Sequence, residues 1–187
     1  MTDASALRRA VQDEAIYGDG AWDPGLDVEG FLRRVTADLN RLPLVVVEHA
    51  EFAHYGSGYS SCVAVSVTKR DGSARSNNAD GWADVECLEL ALCRLVPAAC
   101  LLSPATRSRG PNGAGANSLP DVGRLITVPA KRWVGEYRQI AGVLDRHGLP
   151  LIGPDPLALP LPEGLSVETN LAGSSQTVFD AWFHWCD

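Results

Sequence analysis

The feature that most constrains the fold is an aromatic segment at 177–187, which contains Phe179, Trp182, Phe183 and Trp185. Its apolar residues recur at the spacing of two adjacent helix faces, with Val178, Ala181, Trp182 and Trp185 on one and Phe179, Phe183 and Cys186 on the other. A helix that is apolar on nearly all sides is typical of a buried element. We therefore predict a C-terminal aromatic helix that plugs a core built by the preceding residues.

Length and charge indicate one globular domain over 1–187 and disfavour several kinds of partner. The formal net charge is −7, whereas nucleic-acid binding depends on clustered Lys and Arg, so we expect a basic protein as partner and no nucleic acid. No apolar run is long enough to span a membrane and no signal-peptide pattern is visible. The cysteines are odd in number and form no C-x-x-C pair, which predicts reduced, buried thiols in a cytoplasmic protein.

The hydrophobic periodicity predicts an α+β fold with a small mixed or antiparallel sheet and about four or five helices. Helices are expected at 4–15, at 28–39 behind an Asp27 cap, and from Pro129 to a stop at Gly148. Strands are expected at 44–47, covered on both faces, and at 61–68, with shorter ones at 124–128, 149–152 and 165–169. The apolar residues of the segment 84–96 fit both the period of a helix and that of a strand. We favour a helix there while leaving a strand open.

Two stretches are expected to be irregular. The segment 103–120 is rich in Gly, Ser, Asn, Pro and Ala without periodicity, which predicts a flexible loop. The prolines between 150 and 162 predict an extended strap that leads towards the terminal segment.

Groups suited to catalysis or to metal binding are scarce. His49, Glu51 and His54 lie close in sequence, and His184 with Cys186 could join them, but the spacing is not that of a helical zinc site, and structural histidines are favoured. The acidic run Asp80, Asp84, Glu86 and Glu89 is interpreted as a solvated helix face. The sequence thus predicts no catalytic set, no metal and no cofactor.

The acidic segment 13–29 is the best candidate for function. Between Arg9 and Arg33 it has six acidic residues and no basic one, together with Tyr17 and Trp22. Aromatic side chains commonly anchor interfaces, and carboxylates steer a basic partner towards them. The predicted partner-binding residues are Tyr17, Asp19, Trp22, Asp23 and Asp27. The competing interpretation is that Trp22 is tucked onto the core.

Two stretches carry a resemblance to a known class. The segments 132–152 and 177–185, including Arg132, Trp133, His147 and Gly148 in the first, resemble small acidic actinobacterial proteins, some of them immunity proteins of polymorphic toxin systems. The resemblance covers about a third of the chain and transfers no functional residue. It implies a non-catalytic cytoplasmic protein that binds and blocks one toxin.

Three functions therefore stand at this point. The first is a protein-binding or immunity-type module with a basic partner. The second is a small enzyme whose cleft lies under the 103–120 loop, with His49, His54 or His184 as acid or base. The third is an assembly component that oligomerises.

Overall fold

The computed structural model describes residues 22–23, 25–56, 58–77, 81–110, 119–170 and 176–186. Within these ranges the helices are α1 (Val28–Asn40), α2 (Val134–Arg146), α3 (Pro154–Leu157) and α4 (Val178–Trp182). The strands are β1 (Val45–Ala50), β2 (Tyr59–Ser60), β3 (Cys62–Lys69), β4 (Arg75–Asn77), β5 (Ala83–Cys93), β6 (Ala99–Arg109) and β7 (Trp185–Cys186). The strands pair antiparallel, so the α+β class is confirmed. The helix expected at 4–15 lies outside the described residues.

The main sheet is built around β5. Strand β6 runs along one edge of β5, and β3 followed by β4 occupies the other edge, with β1 outside β3. The chain turns between β3 and β4 at Asp71 and Gly72, where Gly72 has φ +77, a conformation that glycine adopts without steric cost. Strands β2 and β7 form a separate two-stranded sheet.

The helix favoured at 84–96 is wrong, because that segment is the central strand. Leu88, Leu90 and Leu92 point to one face of the sheet and Cys87, Ala91 and Cys93 to the other, and all of them are buried. A strand that is covered on both faces carries apolar residues at nearly every position, so its alternation is lost. The spacing of the apolar residues in such a strand therefore also matches the period of a helix.

The loop expected over 103–120 is also corrected, since 103–109 belongs to β6. The β5–β6 register passes from Glu89 opposite Leu102 to Cys87 opposite Ala105. Two residues of β6, Ser103 and Pro104, therefore face one residue of β5, which is a β-bulge. A bulge tolerates proline because the ladder is interrupted there. Residues 111–118 of the expected loop lie outside the described residues.

Strand β1 is an edge strand rather than one covered on both faces. Val45 is buried, but the following residues of the strand are only partly so. Two backbone groups on its outer side are occupied by side chains: Val47 N donates to Asn40 Oδ1 at 3.0 Å, and Val45 O accepts from Arg70 Nη2 at 2.6 Å. Both side chains come from the segments that flank the β1–β3 pair.

One face of the sheet is covered by α1 and α2, as the helical spacing predicted. Asp27 accepts from Gly30 N and caps α1, and Gly148, with φ +67, follows the end of α2. The core on this face consists of Leu32, Val35, Leu39, Val45, Val63, Val65, Val67, Leu88, Leu90, Leu92, Ala99, Leu101, Trp133, Ile140, Val143, Leu144 and Leu149. The helix preceding Gly148 begins at Val134 after a short 3-10 turn, not at Pro129.

The opposite face is covered in part by the C-terminal segment, which packs Leu157, Val167, Val178, Phe179, Ala181 and Phe183 against Cys62, Ala91, Cys93 and Cys100. The single aromatic helix expected over 177–187 is not confirmed. Helix α4 ends at Trp182, and Trp185 and Cys186 pair with β2. Phe179 and Phe183 are buried and stacked, with ring centroids 5.2 Å apart.

The smaller elements expected around the proline-rich strap differ from the structure. The strap contains helix α3, and Pro160 bridges Thr177. The strands expected at 124–128 and 149–152 are reduced to single bridges at Leu125 and Leu151, and 165–169 has no strand. Among the described residues, none of the helices combines the length and hydropathy needed to cross a membrane.

Candidate binding surface and polar clusters

Of the predicted partner-binding residues, Tyr17 and Asp19 lie outside the described residues. Trp22 is half-buried and packs edge-to-face on Phe31, with ring centroids 5.2 Å apart at an interplanar angle of 63°. It contacts the margin of the core that α1 and α2 build. Trp22 therefore contributes to packing, as the competing interpretation expected, although part of its side chain remains at the surface.

Asp23 and Asp27 are exposed, and each accepts a hydrogen bond from nearby backbone. Asp23 Oδ1 accepts from Gly25 N at 3.2 Å, and Asp27 Oδ1 accepts from Gly30 N at 2.9 Å. Neither carboxylate has an ion pair among the described residues. Their negative charges lie before α1, and no cation among the described residues forms an ion pair with them.

A second set of exposed carboxylates, which sequence reasoning missed, lies in the C-terminal part of the chain. Asp155, Glu163 and Glu168 are exposed, and no Lys or Arg occurs after Arg146. Leu159 is 52% exposed in the same stretch. An exposed large apolar side chain among carboxylates indicates an interface more strongly than either feature alone, because interfaces combine an apolar contact with a polar rim.

Most basic side chains of the described residues are bound by the chain's own acceptors. The ion pairs with Lys or Arg are Arg33 and Arg94 with Glu29, Arg41 with Asp38, Arg75 and Arg109 with Glu48, Lys69 with Glu136, and Arg132 with Glu86. Other exposed bases lie along α1 and α2, at Arg34, Arg138 and Arg146. Asp23, Asp27 and the carboxylates of 155–168 are among the exposed acidic side chains that have no ion pair in the described part of the chain.

The row of rings that begins at Trp22 carries mixed charge. Phe31 packs edge-to-face on His147 with centroids 5.6 Å apart, and His147 Nε2 lies 2.9 Å from Asp38 Oδ2. Hydrogen bonds from His147 and Arg41 lower the pKa of the Asp38 carboxyl. Since Asp38 is already neutralised by its neighbours, it adds little to an acidic surface.

His54, His184 and Cys186 lie around Tyr59, whereas His49 does not join them. His54 stacks on Tyr59 at 5.4 Å, and His184 lies 6.1 Å from the same ring. Cys186 Sγ lies 3.9 Å from Tyr59 O. His49 is separate, on the main sheet. Within the described ranges, no group of three or more His, Cys, Asp or Glu side chains is placed to hold a metal ion.

His49 belongs to a polar row that crosses the sheet on the face away from α1 and α2. It stands opposite Ser66 in the β1–β3 register, and Ser66 stands opposite Glu89 in the β3–β5 register. Arg107, which is buried, donates from Nη1 to Ser66 Oγ at 2.7 Å. The expected solvated face for Glu89 is thus wrong, since its side chain is enclosed and only 3% of the residue is exposed.

The environment shifts the pKa values of Glu89 and His49, the two titratable ends of this row, in opposite directions. Burial raises the pKa of the Glu89 carboxyl, although Ser66, Arg107 and Arg124 act against the shift. Burial, followed by the positive charge of Arg107, lowers the pKa of His49. Both changes favour the neutral form. In the described part of the chain, Glu89 Oε1 has no hydrogen-bond partner.

Glu51 links this row to the turn that follows β1. Its Oε2 lies 3.3 Å from His49 Nε2, while Oε1 accepts from Ala53 N at 2.8 Å and Tyr55 N at 3.2 Å. The Tyr55 hydroxyl is buried without a hydrogen-bond partner among the described residues. Burial raises the pKa of Tyr55, and Cys62 and Glu51 add to the shift.

The cysteine thiols are poor nucleophiles in this environment. Burial raises the pKa of Cys62 to about 11 and those of Cys87 and Cys93 to about 12, and raises that of Cys100 well above its usual value. A thiol reacts as the thiolate, so these four side chains are suited to packing.

Comparison with known proteins found no matching family model, no similar curated protein and no similar solved structure.

Proposed function

We propose that this chain is a non-catalytic protein-binding module that holds a basic protein partner through its acidic surface. The observation that supports it is the position of the uncompensated charge. Asp23 and Asp27, and Asp155, Glu163 and Glu168, are exposed in two stretches that contain no Lys or Arg. None of them has an ion pair among the described residues.

Such carboxylates act mainly on encounter. Charges that are exposed are screened over about 8 Å at physiological ionic strength, so they accelerate association with a basic protein and contribute less once contact is made. Release is governed by buried apolar anchors. Leu159, which projects into solvent, suits an anchor better than Trp22, whose ring already packs on Phe31.

The resemblance of 132–152 and 177–185 to immunity-type proteins gives the proposal a specific form. The partner would be a basic toxin met in the cytoplasm, and the module would block it by occupying its active surface. A toxin gene beside the gene of this chain would support this form, and co-expression of the two proteins should then restore growth that the toxin alone abolishes.

The test uses charge changes that leave the local hydrogen bonds in place. Asp23→Asn with Asp27→Asn removes two charges while Asn retains the oxygen that accepts from the backbone, and Asn caps a helix as well as Asp does. Asp155→Asn, Glu163→Gln and Glu168→Gln remove the charges of the second stretch. Asp71→Asn with Asp121→Asn is the matched control, because both are turn carboxylates that accept from backbone amides elsewhere on the surface.

The measurement is the association rate with the partner recovered from the native host, at low and at physiological salt. We expect one of the two sets of variants to slow association and to flatten its salt dependence, while the control does not. Equal rates in all variants, or binding that is independent of salt, would refute the acidic surface as the site.

A second candidate function, a small enzyme, rests on the His49–Ser66–Glu89 row. Burial favours the protonated carboxyl of Glu89 and the neutral ring of His49, so Glu89 would be the acid and His49, held by Glu51, the base. Turnover in a panel of ester and phosphoester substrates that Glu89→Gln and His49→Gln both abolish would favour it. Unchanged turnover in both variants would exclude the row as its source.

A further inference from the structure

The turn after β1 holds three consecutive residues in the left-handed region. His54 has φ +53, Tyr55 has φ +58 and Gly56 has φ +84. Only glycine adopts this conformation readily, so the first two residues are strained and persist because their surroundings hold them. Glu51 does so from one side, by accepting from Ala53 N and Tyr55 N.

The same turn holds the C-terminal strand. His54 O accepts from Trp185 Nε1 at 3.3 Å, and the rings of Tyr55 and Trp185 meet edge-to-face at 5.9 Å. Trp185 and Cys186 in turn pair with β2, opposite Ser60 and Tyr59. We use the name tail clasp for the left-handed turn, β2 and β7 together.

A histidine nitrogen joins the turn to β2. His54 Nδ1 accepts from Ser60 N at 2.9 Å, and its ring stacks on Tyr59. A backbone N–H can only donate, so Nδ1 must carry a lone pair for this bond to exist. A proton on Nδ1 would face the Ser60 N–H directly, and the bond would be lost.

The charged and titratable groups around His54 come from several elements. Arg94 follows β5, Glu29 lies in the first turn of α1, Glu51 precedes the turn, and Tyr59 and His184 lie along β2 and before β7. Burial and then Arg94 lower the pKa of His54, whereas Glu29 and Glu51 act in the opposite direction. The net effect favours the neutral ring that the Ser60 bond requires.

We propose that the tail clasp is an acid-sensitive switch, in which protonation of His54 breaks the Ser60–His54 bond and releases β7 from β2. Because His54 has a lowered pKa in the closed clasp, closure is favoured above the ordinary histidine range of about 6.5 and is weakened as the pH falls below it.

Cys186 provides the readout. It is half-exposed at the clasp, whereas Cys62, Cys87, Cys93 and Cys100 are buried. The full chain is treated with a dipyridyl disulfide, which reacts with thiols at acidic pH, and the rate at Cys186 is divided by that of a free cysteine peptide at each pH between 5 and 8. We expect the normalised rate to rise by up to about tenfold for each pH unit below about 6.5, until His54 is protonated in the closed state as well.

His54→Asn is the matched variant. Asn tolerates the left-handed conformation better than most residues and does not titrate in this range, so its normalised rate should not change with pH. A flat profile in the wild type would overturn the proposal, and so would a rise of the same size in the variant, which would place the titrating group elsewhere.

A second measurement covers the case in which the variant does not fold. In the wild-type protein, the ring protons of His54 and the indole N–H of Trp185 should titrate together in nuclear magnetic resonance spectra. If the Trp185 signal stays in place while the His54 ring titrates, the clasp does not respond to this histidine and the proposal fails.

Discussion

Replacing Phe183 with Ala should remove a large part of the stability of the chain. Phe183 is fully buried at 0% exposure, follows α4 and stacks on Phe179 beneath the sheet. Truncation of a buried Phe leaves a cavity and costs about 3–5 kcal/mol, against a total stability of about 5–15 kcal/mol for an ordinary domain. At about 2–4 °C per kcal/mol for a chain of this size, the midpoint should fall by about 6–20 °C.

The assay is thermal unfolding followed by circular dichroism, with Leu159→Ala as the control. Leu159 is 52% exposed, so its truncation leaves no cavity and should change the midpoint by less than about 2 °C. If Phe183→Ala unfolds cooperatively within the same small margin, the C-terminal segment does not stabilise the core, and the reasoning from its burial is refuted.

Glu89→Gln should stabilise the fold near pH 8 and have little effect on stability below about pH 4, as measured by urea unfolding across this range. Because burial raises the pKa of Glu89 in the folded state, the contribution of Glu89 to wild-type stability is present in acid and is lost as the pH rises. Asp27→Ala should cost about 0.5–2 kcal/mol by removing the cap of α1 while Asp27→Asn costs only a few tenths, and equal losses in chemical denaturation would contradict the capping role. Gly148→Ala should cost roughly 1 kcal/mol because Gly148 has φ +67, and an unchanged unfolding midpoint would show that the turn relaxes.

Sequence patterns identify helices and strands that have one face in solvent. They fail for elements whose faces are both covered by the rest of the protein. Helix α1 was predicted closely because its apolar face and its Asp27 cap are both local signals. Strand β5 was misread because neighbours cover both of its faces, and β6 because Pro104 and its polar residues look like a loop until the bulge opposite β5 is known.

The candidate sites divide in the same way. The carboxylates Asp23 and Asp27 could be selected from composition alone, because a stretch without Lys or Arg can be read directly from the sequence. The row of His49, Ser66 and Glu89 could not, because its members come from three strands and meet only through their register. The burial of Glu89 depends on elements far along the chain, so its acidic neighbours in sequence suggested solvent instead.

The occupied outer edge of β1 limits how another molecule can attach to the sheet. An open edge presents a ladder of amides and carbonyls that any extended peptide can join, regardless of its sequence. Asn40 and Arg70 already fill positions on that ladder at Val47 and Val45. A strand that approached this edge would have to displace both side chains first, which protects the chain from sheet-to-sheet aggregation. Recognition on this side must then depend on side-chain identity, so it can discriminate between partners in a way that backbone pairing cannot.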